Sequence, residues 1–483
     1  MAGFVGRRRE LALLRKRLDR VADSRRALSV AIRGRRQVGK SRLVQEFCDT
    51  ADVPYLYYAA TKGMSQVEAM SSFLDELRRS GLRAEPDAVP ENVEGWLDAL
   101  RALSASLPEQ PSIVVIDELP WLAEQDPSFD GALQTAWDRL ISSHPVLLLV
   151  LGSDLHMMER LTAYDKPMFG RADNLVLEPL NPAETAEVLG LEPADAIDAQ
   201  LITGGLPGIL RSWPRALSPL EFVEQECADP AAPLFSVPEY SLLAEFPRPD
   251  QARRVFEAIG SGDRTFARIA ESAGGRGGGL ASGSLSPVLA QLAEEKRLIA
   301  VDTPLSTRPG KPSLYRVADS NLRLYLGVLR EAHELIRRGR DRQAYEVFAR
   351  RWTTWRGRAV EPLVREALEL AALSDALPWS DVRAVGGWWN RRFDPEVDLV
   401  GADRSPVASH VHFAGSIKWL NTRFDRHDLV DLVRQADQVP GLDRDRSGLV
   451  IVSLSGLDES VAADSVDLVW RASDVIDAWR TDS

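Results

Sequence analysis

Apolar residues in the first third of the chain come in short unbroken runs, each followed by polar residues. LSVAI (Leu28–Ile32) leads into a glycine-containing octet and then into RLVQEFC (Arg42–Cys48), whose spacing is helical. SIVVID (Ser112–Asp117) and PVLLLVLGSD (Pro145–Asp154) repeat the strand half of that pattern, as strands buried on both faces of a parallel sheet do. YLYYAAT (Tyr55–Thr61) reads as one more strand, and FVGRRREL (Phe4–Leu11) precedes an amphipathic helix. From Pro249 the rhythm shortens to three helices: DQARRVFEAIGSG, FARIAESAGG and SGSLSPVLAQLAEEKRLIAV, the last running into a strand. The Gly-rich segment GGRGGGLASG separates the second from the third as a long flexible turn. Two strand-like pieces in IAVDTPLSTRPGKPSLYRVAD then flank a basic Pro/Gly tip with Arg308 and Lys311. After an arginine-rich helical linker, a helix carries Glu361, WWNRRFDPEVDLVGA predicts a strand centred on Asp398, and SHVHFAGSIKWLN predicts one bearing Lys418. A helix (DRHDLVDLVRQADQV) and a strand (GLVIVSLSG) follow.

A chain of 483 residues is too long for one core, and about three domains are expected. With 45% hydrophobic and 27% charged residues, no apolar run long enough to span a bilayer and no apolar segment after the arginine-rich start, the expectation is a cytoplasmic protein without a membrane partner. Cys48 and Cys227 have no metal or disulfide spacing and read as buried thiols. A net charge of −12 argues against indiscriminate nucleic-acid binding by the whole surface but leaves room for local basic faces.

The octet is where chemistry enters. Gly34-Arg35-Arg36-Gln37-Val38-Gly39-Lys40-Ser41, with Arg42 next, fits G-x-x-x-x-G-K-[ST] at every fixed position, between a strand and a helix. Glycines let backbone amides approach phosphate closely, Lys40 reaches the β/γ-phosphates and Ser41 offers a hydroxyl to Mg²⁺; ATP and Mg²⁺ are the expected ligands. Asp117 at the end of the acidic strand is placed to hold the Mg²⁺ shell, and Glu118 to orient or deprotonate water. A solvated turn would carry such a pair equally well in the absence of the octet. Ser153 ends the next strand as a sensor of γ-phosphate. Arg171, with Arg160 as rival, is a candidate arginine finger toward a neighbouring subunit, against the plainer reading of a surface arginine.

Phe4-Val5-Gly6-Arg7, GRRQVGKS, IVVIDELPWL, GSD, FGR and GGLPGIL together resemble the AAA+-related archaeal-type P-loop ATPases, over roughly the first half of the chain. The resemblance implies an α/β core with an extra strand between the lysine and acidic motifs, fitted by YLYYAAT. It implies an N-terminal box (Phe4, Val5, Gly6) bordering adenine, and a helical lid containing Gly204, Gly205 and Pro207. The middle segment resembles a winged helix-turn-helix, whose third helix would enter a major groove and whose wing would contact phosphate. That helix offers Ser284 and Ser286 where base-reading residues belong, so a spacer role competes. The last quarter resembles the restriction-endonuclease-like domain of unknown function fused to such ATPases. That fold needs a carboxylate two residues before the lysine; here it is Ser416, so Glu361, Asp398, Ser416 and Lys418 read as a degenerate metal site, with Glu396 as partial compensation or an Asp398–Lys418 ion pair as the plainer account. Trp352, Trp355, Trp388, Trp389 and Trp419 suit base stacking or, more simply, core and interface packing. The expected boundaries are 1–178 for the ATPase core, 179–245 for the lid, 246–325 for the winged helix and 326–483 for the linker and nuclease-like domain. The expected function is Mg-dependent ATP hydrolysis driving conformational change in a DNA-associated or nuclease-derived module, in a homo-oligomer with DNA as possible partner. A nucleotide-gated oligomeric switch and an ATP-stimulated nuclease are the alternatives.

Overall fold

The computed structural model describes all residues except 1–3, 5, 83–88, 154–157, 159–170, 216, 275–277, 311 and 481–483. Val5, Arg160, Lys311 and the Phe-Gly of the FGR stretch lie outside the described residues. The chain divides into two compact units, Met1–Pro179 and Leu180–Ser483.

In the first unit β1 (Leu28–Arg33), β2 (Tyr55–Ala59), β3 (Ser112–Asp117), β4 (Val146–Gly152) and β5 (Ala172–Val176) form a parallel sheet in the order β2-β3-β4-β1-β5. Strands β3 and β4 are buried at every position, which is why their sequences are unbroken apolar runs and do not alternate. YLYYA forms β2, between the lysine and acidic motifs along the chain. In space β2 is an edge strand, and β4 is what separates the phosphate-loop strand from the acidic strand. Ala31, Leu56, Tyr58, Val114, Ile116, Leu148 and Val150, two apart within each strand, line one face and join a single core with Phe73, Trp96 and Phe129. Tyr58, Phe73, Trp96 and Phe129 meet edge to face at centroid separations of 5.2, 5.8 and 5.1 Å. Each such pair adds about 1 kcal/mol beyond the burial of its area.

The second unit opens with helices Pro182–Leu189, Pro193–Thr203, Pro207–Leu210, Pro219–Glu226 and Pro233–Glu245. Each begins on a proline, whose fixed φ and missing amide suit the first helical turn. Helices Gln251–Gly260, Phe266–Ala273 and Ser282–Ala290 follow, then an antiparallel ribbon of β6 (Ile299–Asp302) and β7 (Leu314–Val317). The last sheet holds β8 (Ala384–Trp389), β9 (Glu396–Ala402), β10 (Val411–Lys418), β11 (Gly448–Ser453) and β12 (Leu468–Trp470) in the order β12-β11-β10-β9-β8. Strands β8, β9 and β10 are antiparallel, whereas β11 and β12 run parallel to β10. The stretch WWNRRFDPEVDLVGA, read as one strand, is a hairpin: Trp388 and Trp389 end β8, and Asp398 lies on β9.

Two contacts tie this unit together. The carboxylate of Asp198, on the buried helix Pro193–Thr203, accepts a hydrogen bond of 2.7 Å from Arg356 on the helix Asp341–Ala359 and one of 3.4 Å from the Trp419 indole. The connection between β6 and β7, expected as a wing contacting phosphate, packs on the C-terminal sheet. Leu305 and Ser306 are buried there, the Leu305 amide bonds the Gly387 carbonyl at 2.9 Å, and the Trp389 indole donates to the Pro312 carbonyl at 2.7 Å. Apolar burial at Leu305 outweighs the solvation that a basic tip would seek, while Arg308 stays exposed.

Candidate functional site

The phosphate loop leaves β1 at Gly34 and enters the helix Lys40–Thr50. Gly34 has a packing reason as well as a chemical one: a Cβ there would stand 2.4 Å from the Leu177 carbonyl oxygen. Gln37 and Gly39 are left-handed, at φ 67° and 92°, the alternation that turns successive amides inward as an anion nest. The Lys40 ammonium donates to the Gly34 and Arg35 carbonyls at 2.7 and 3.0 Å, so its own loop positions it. Burial pushes Lys40 down to about 8, opposed by the nearby charges of Glu118 and Asp117. Lysine and both acids therefore share one electrostatic neighbourhood.

Asp117 is 5% exposed. One of its oxygens accepts from the Glu118 amide at 2.9 Å and the other from the Tyr57 hydroxyl at 2.7 Å. Tyr57, on β2, escaped the sequence reading; the signal was the alternation of YLYYA, which sends Leu56 and Tyr58 into the core and Tyr57 to the other face. Burial and the Asp117 charge raise the Tyr57 phenol, keeping it a proton donor to that carboxylate. Glu118 sits at φ 54°, a strained angle for a non-glycine residue, and its carboxylate accepts from the Ser153 hydroxyl at 3.0 Å and amide at 3.3 Å. The strand-end acid pair and Ser153 are thus brought together.

Arg171 makes a two-pronged ion pair with Asp138, at 2.8 and 2.9 Å. Arg7, buried at 5% exposure, donates to the Val38 carbonyl at 3.0 Å and to the Glu178 carbonyl, fastening the phosphate loop to the chain beyond β5. Phe4 lies under the Arg42 guanidinium, 6.0 Å from it. Gly204 and Gly205 are both left-handed, and Pro207 opens the short helix after them, in the second unit.

The C-terminal candidates have different company. Asp398 is partly buried on β9; its carboxylate accepts from the Ser416 hydroxyl at 3.1 Å and the Ile417 amide at 2.9 Å. Burial, followed by the Glu361 charge, pushes Asp398 up to about 6. Glu361 accepts from Arg365 at 3.0 Å, and the same guanidinium donates to the Asp398 backbone carbonyl at 2.9 Å. Lys418 pairs with Asp428 at the start of the helix Arg426–Ala436, not with Asp398, because the capping carboxylate lies close to the end of β10. Glu396 pairs with Arg264 at 3.4 Å and does not compensate at Asp398. No group of three or more His, Cys, Asp or Glu residues able to hold a metal gathers among the described residues. Trp352, Trp388, Trp389 and Trp419 are buried and Trp355 is half-buried, as packing requires and base stacking does not. Cys48 and Cys227 are buried and free. No helix of the described residues is long and apolar enough to cross a membrane.

Residues 3–150 match the family model described as AAA ATPase domain, and residues 325–429 match one described as archaea bacterial proteins of unknown function. The Methanocaldococcus jannaschii protein MJECL04 is 25% identical over 451 residues, covering 91% of this chain and 93% of that one. Among solved structures, the Walker-type ATPase PABY2304 of Pyrococcus abyssi is similar at 18% identity and a TM-score of 0.46, over 67% of this chain and 96% of that one. The Aeropyrum pernix ORC2 protein in its ADPNP–ADP complexes is similar at 13% identity and a TM-score of 0.44, over 70% and 95%. The first unit carries an AAA-type ATPase domain, and the protein is an ATPase.

Proposed function

We propose that the protein hydrolyses Mg-ATP at the phosphate loop and uses the turnover to change the conformation of its second unit, a body of helical lid, winged helix and nuclease-derived domain that binds or assembles and does not cut. The observation that carries this reading is the shared neighbourhood of Lys40, Asp117 and Glu118, with Glu118 in hydrogen-bond reach of Ser153. Amides of residues 34–39 cradle phosphate, Lys40 faces the β/γ-phosphates, and Ser41 and Asp117 hold Mg²⁺, which neutralises charge on the phosphate oxygens. Glu118 orients the attacking water, and Ser153, which donates to Glu118, senses the γ-phosphate. Arg171 acts as a finger toward another copy only by leaving Asp138. Because the Asp198–Arg356 pair and Trp419 link the lid helix to the C-terminal domain, movement of one is passed to the other.

The nucleotide-gated switch draws support from the helix Ser282–Ala290, whose exposed face is serine, glycine, proline and alanine with no guanidinium or ammonium to meet DNA. ATPase rate measured with and without single- and double-stranded DNA, alongside native mass, separates the two. Stimulation by DNA supports the DNA-associated motor. Indifference to DNA, with a rate that rises with protein concentration and collapses in Arg171→Ala, supports the switch. Cleavage of labelled DNA by wild type in Mg²⁺ or Mn²⁺, lost in Asp398→Ala, would sink the view that the second unit does not cut.

A further inference from the structure

We propose that Arg365 is the resident cation of the acidic face on the C-terminal sheet, and that it keeps out the divalent metal on which phosphodiester cleavage in a nuclease-like fold depends. This rests on the nuclease-derived reading of that domain and adds to it a cause separate from Ser416. The residues present do not fit a metal. The Glu361 carboxylate accepts from Arg365, and the Asp398 carboxylate accepts from Ser416 and Ile417. Lys418, which would polarise water, faces Asp428.

The guanidinium is placed by three features. Arg365 follows Glu361 by four residues on the helix Glu361–Leu373, with the acid N-terminal, the favourable order for such a pair. Its Nε reaches the Asp398 carbonyl at 2.9 Å, so one side chain bridges the two residues that would be metal ligands. The register of β8 on β9 shifts between Gly386 and Trp388, and Gly387 at that irregularity leaves a slot: a Cβ there would stand 2.7 Å from Nη2 of Arg365. An arginine cannot shed its proton to make way for a second cation, and Mg²⁺ gives up water only to well-placed oxygens. Restoring the missing carboxylate alone therefore leaves the obstacle in place.

The test is Mn²⁺ binding by calorimetry to the full chain without nucleotide, with the C-terminal component defined as what Asp398→Asn abolishes. Wild type and Ser416→Glu are expected to show no Asp398-dependent binding at low millimolar Mn²⁺. Arg365→Leu combined with Ser416→Glu is expected to bind tighter than Ser416→Glu by on the order of tenfold or more. Should Arg365→Leu fail to fold, judged by thermal melting, Gly387→Ala with Ser416→Glu displaces the guanidinium with its charge intact and is expected to behave likewise. Binding by Ser416→Glu as tight as by the double variants overturns the role of Arg365 and leaves the nuclease-derived reading standing. Asp398-dependent binding by wild type also overturns it. Folded double variants that bind no Mn²⁺ overturn the reading and the proposal together.

Discussion

Both units carry a lysine and carboxylates on or beside their sheets, but the two groups keep different company. In the first unit Lys40 is held by carbonyls of its own loop, and the two acids are consecutive residues at one strand end. In the second, Glu361, Asp398 and Lys418 come from a helix and two strands, and each has a competing partner close by: Arg365 one helical turn on, Ser416 across the ladder, Asp428 at the next helix start. A site whose members are positioned by their own segment resists capture. Groups drawn from three segments each take the nearest opposite charge or hydrogen-bond donor, and they do not converge.

The largest expected effect tests that asymmetry directly. Lys40→Ala should abolish ATP binding and hydrolysis, whereas Asp398→Ala should leave ATPase activity within about twofold of wild type, since the Asp398 carboxylate accepts from Ser416 and Ile417 in the second unit and not from the phosphate loop; equal loss in both would break the comparison. Next in size, Glu118→Gln should bind nucleotide as wild type does while turnover falls by roughly 10²-fold or more, the span of a lost general base. Fluorescent-nucleotide binding beside phosphate release measures both, and normal turnover would remove Glu118 from its role. Tyr57→Phe should lower kcat about tenfold with the Mg²⁺ requirement raised and ATP affinity little changed, as deleting one hydrogen bond to a charged group costs about 1.5 kcal/mol. A shift confined to ATP affinity would instead make Tyr57 a binding residue.

The smallest effect concerns stability. The folded-state pKa of Asp398, about 6, lies above its ordinary 3.8, so the native state binds the proton more tightly than the unfolded state. This group therefore favours folding below about pH 4 and loses that advantage as pH rises through 6. Asp398→Asn should match wild type near pH 4 and be more stable by about 1–2 kcal/mol above pH 7, less than the full shift implies because the carboxyl is only partly buried. Denaturant unfolding at several pH values checks it, and parallel profiles for the two proteins would contradict the assignment.

Much of the first unit was legible because its signals are short-range. Unbroken apolar runs mark strands buried on both faces, and the octet carries its geometry in its glycines. Tyr57 and Arg7 were not legible as partners of Asp117 and of the phosphate loop, since their contacts join segments 60 and 31 residues apart. The hairpin at Asn390–Pro395 was missed because apolar residues lie on both sides of it without a turn signature strong enough to split the run.

Sequence alone determined that a glycine-containing phosphate loop sits between a strand and a helix, that two acids end a buried strand, and that a serine, Ser416, stands two residues before Lys418; all three are properties of adjacent residues, readable wherever the segment lies. Tertiary structure alone decided who partners whom: Lys418 with Asp428, Arg365 with Glu361, the supposed wing with the C-terminal sheet. Those outcomes depend on which charges and apolar groups are left nearest to one another once the chain is packed, and spacing along the chain does not encode that distance.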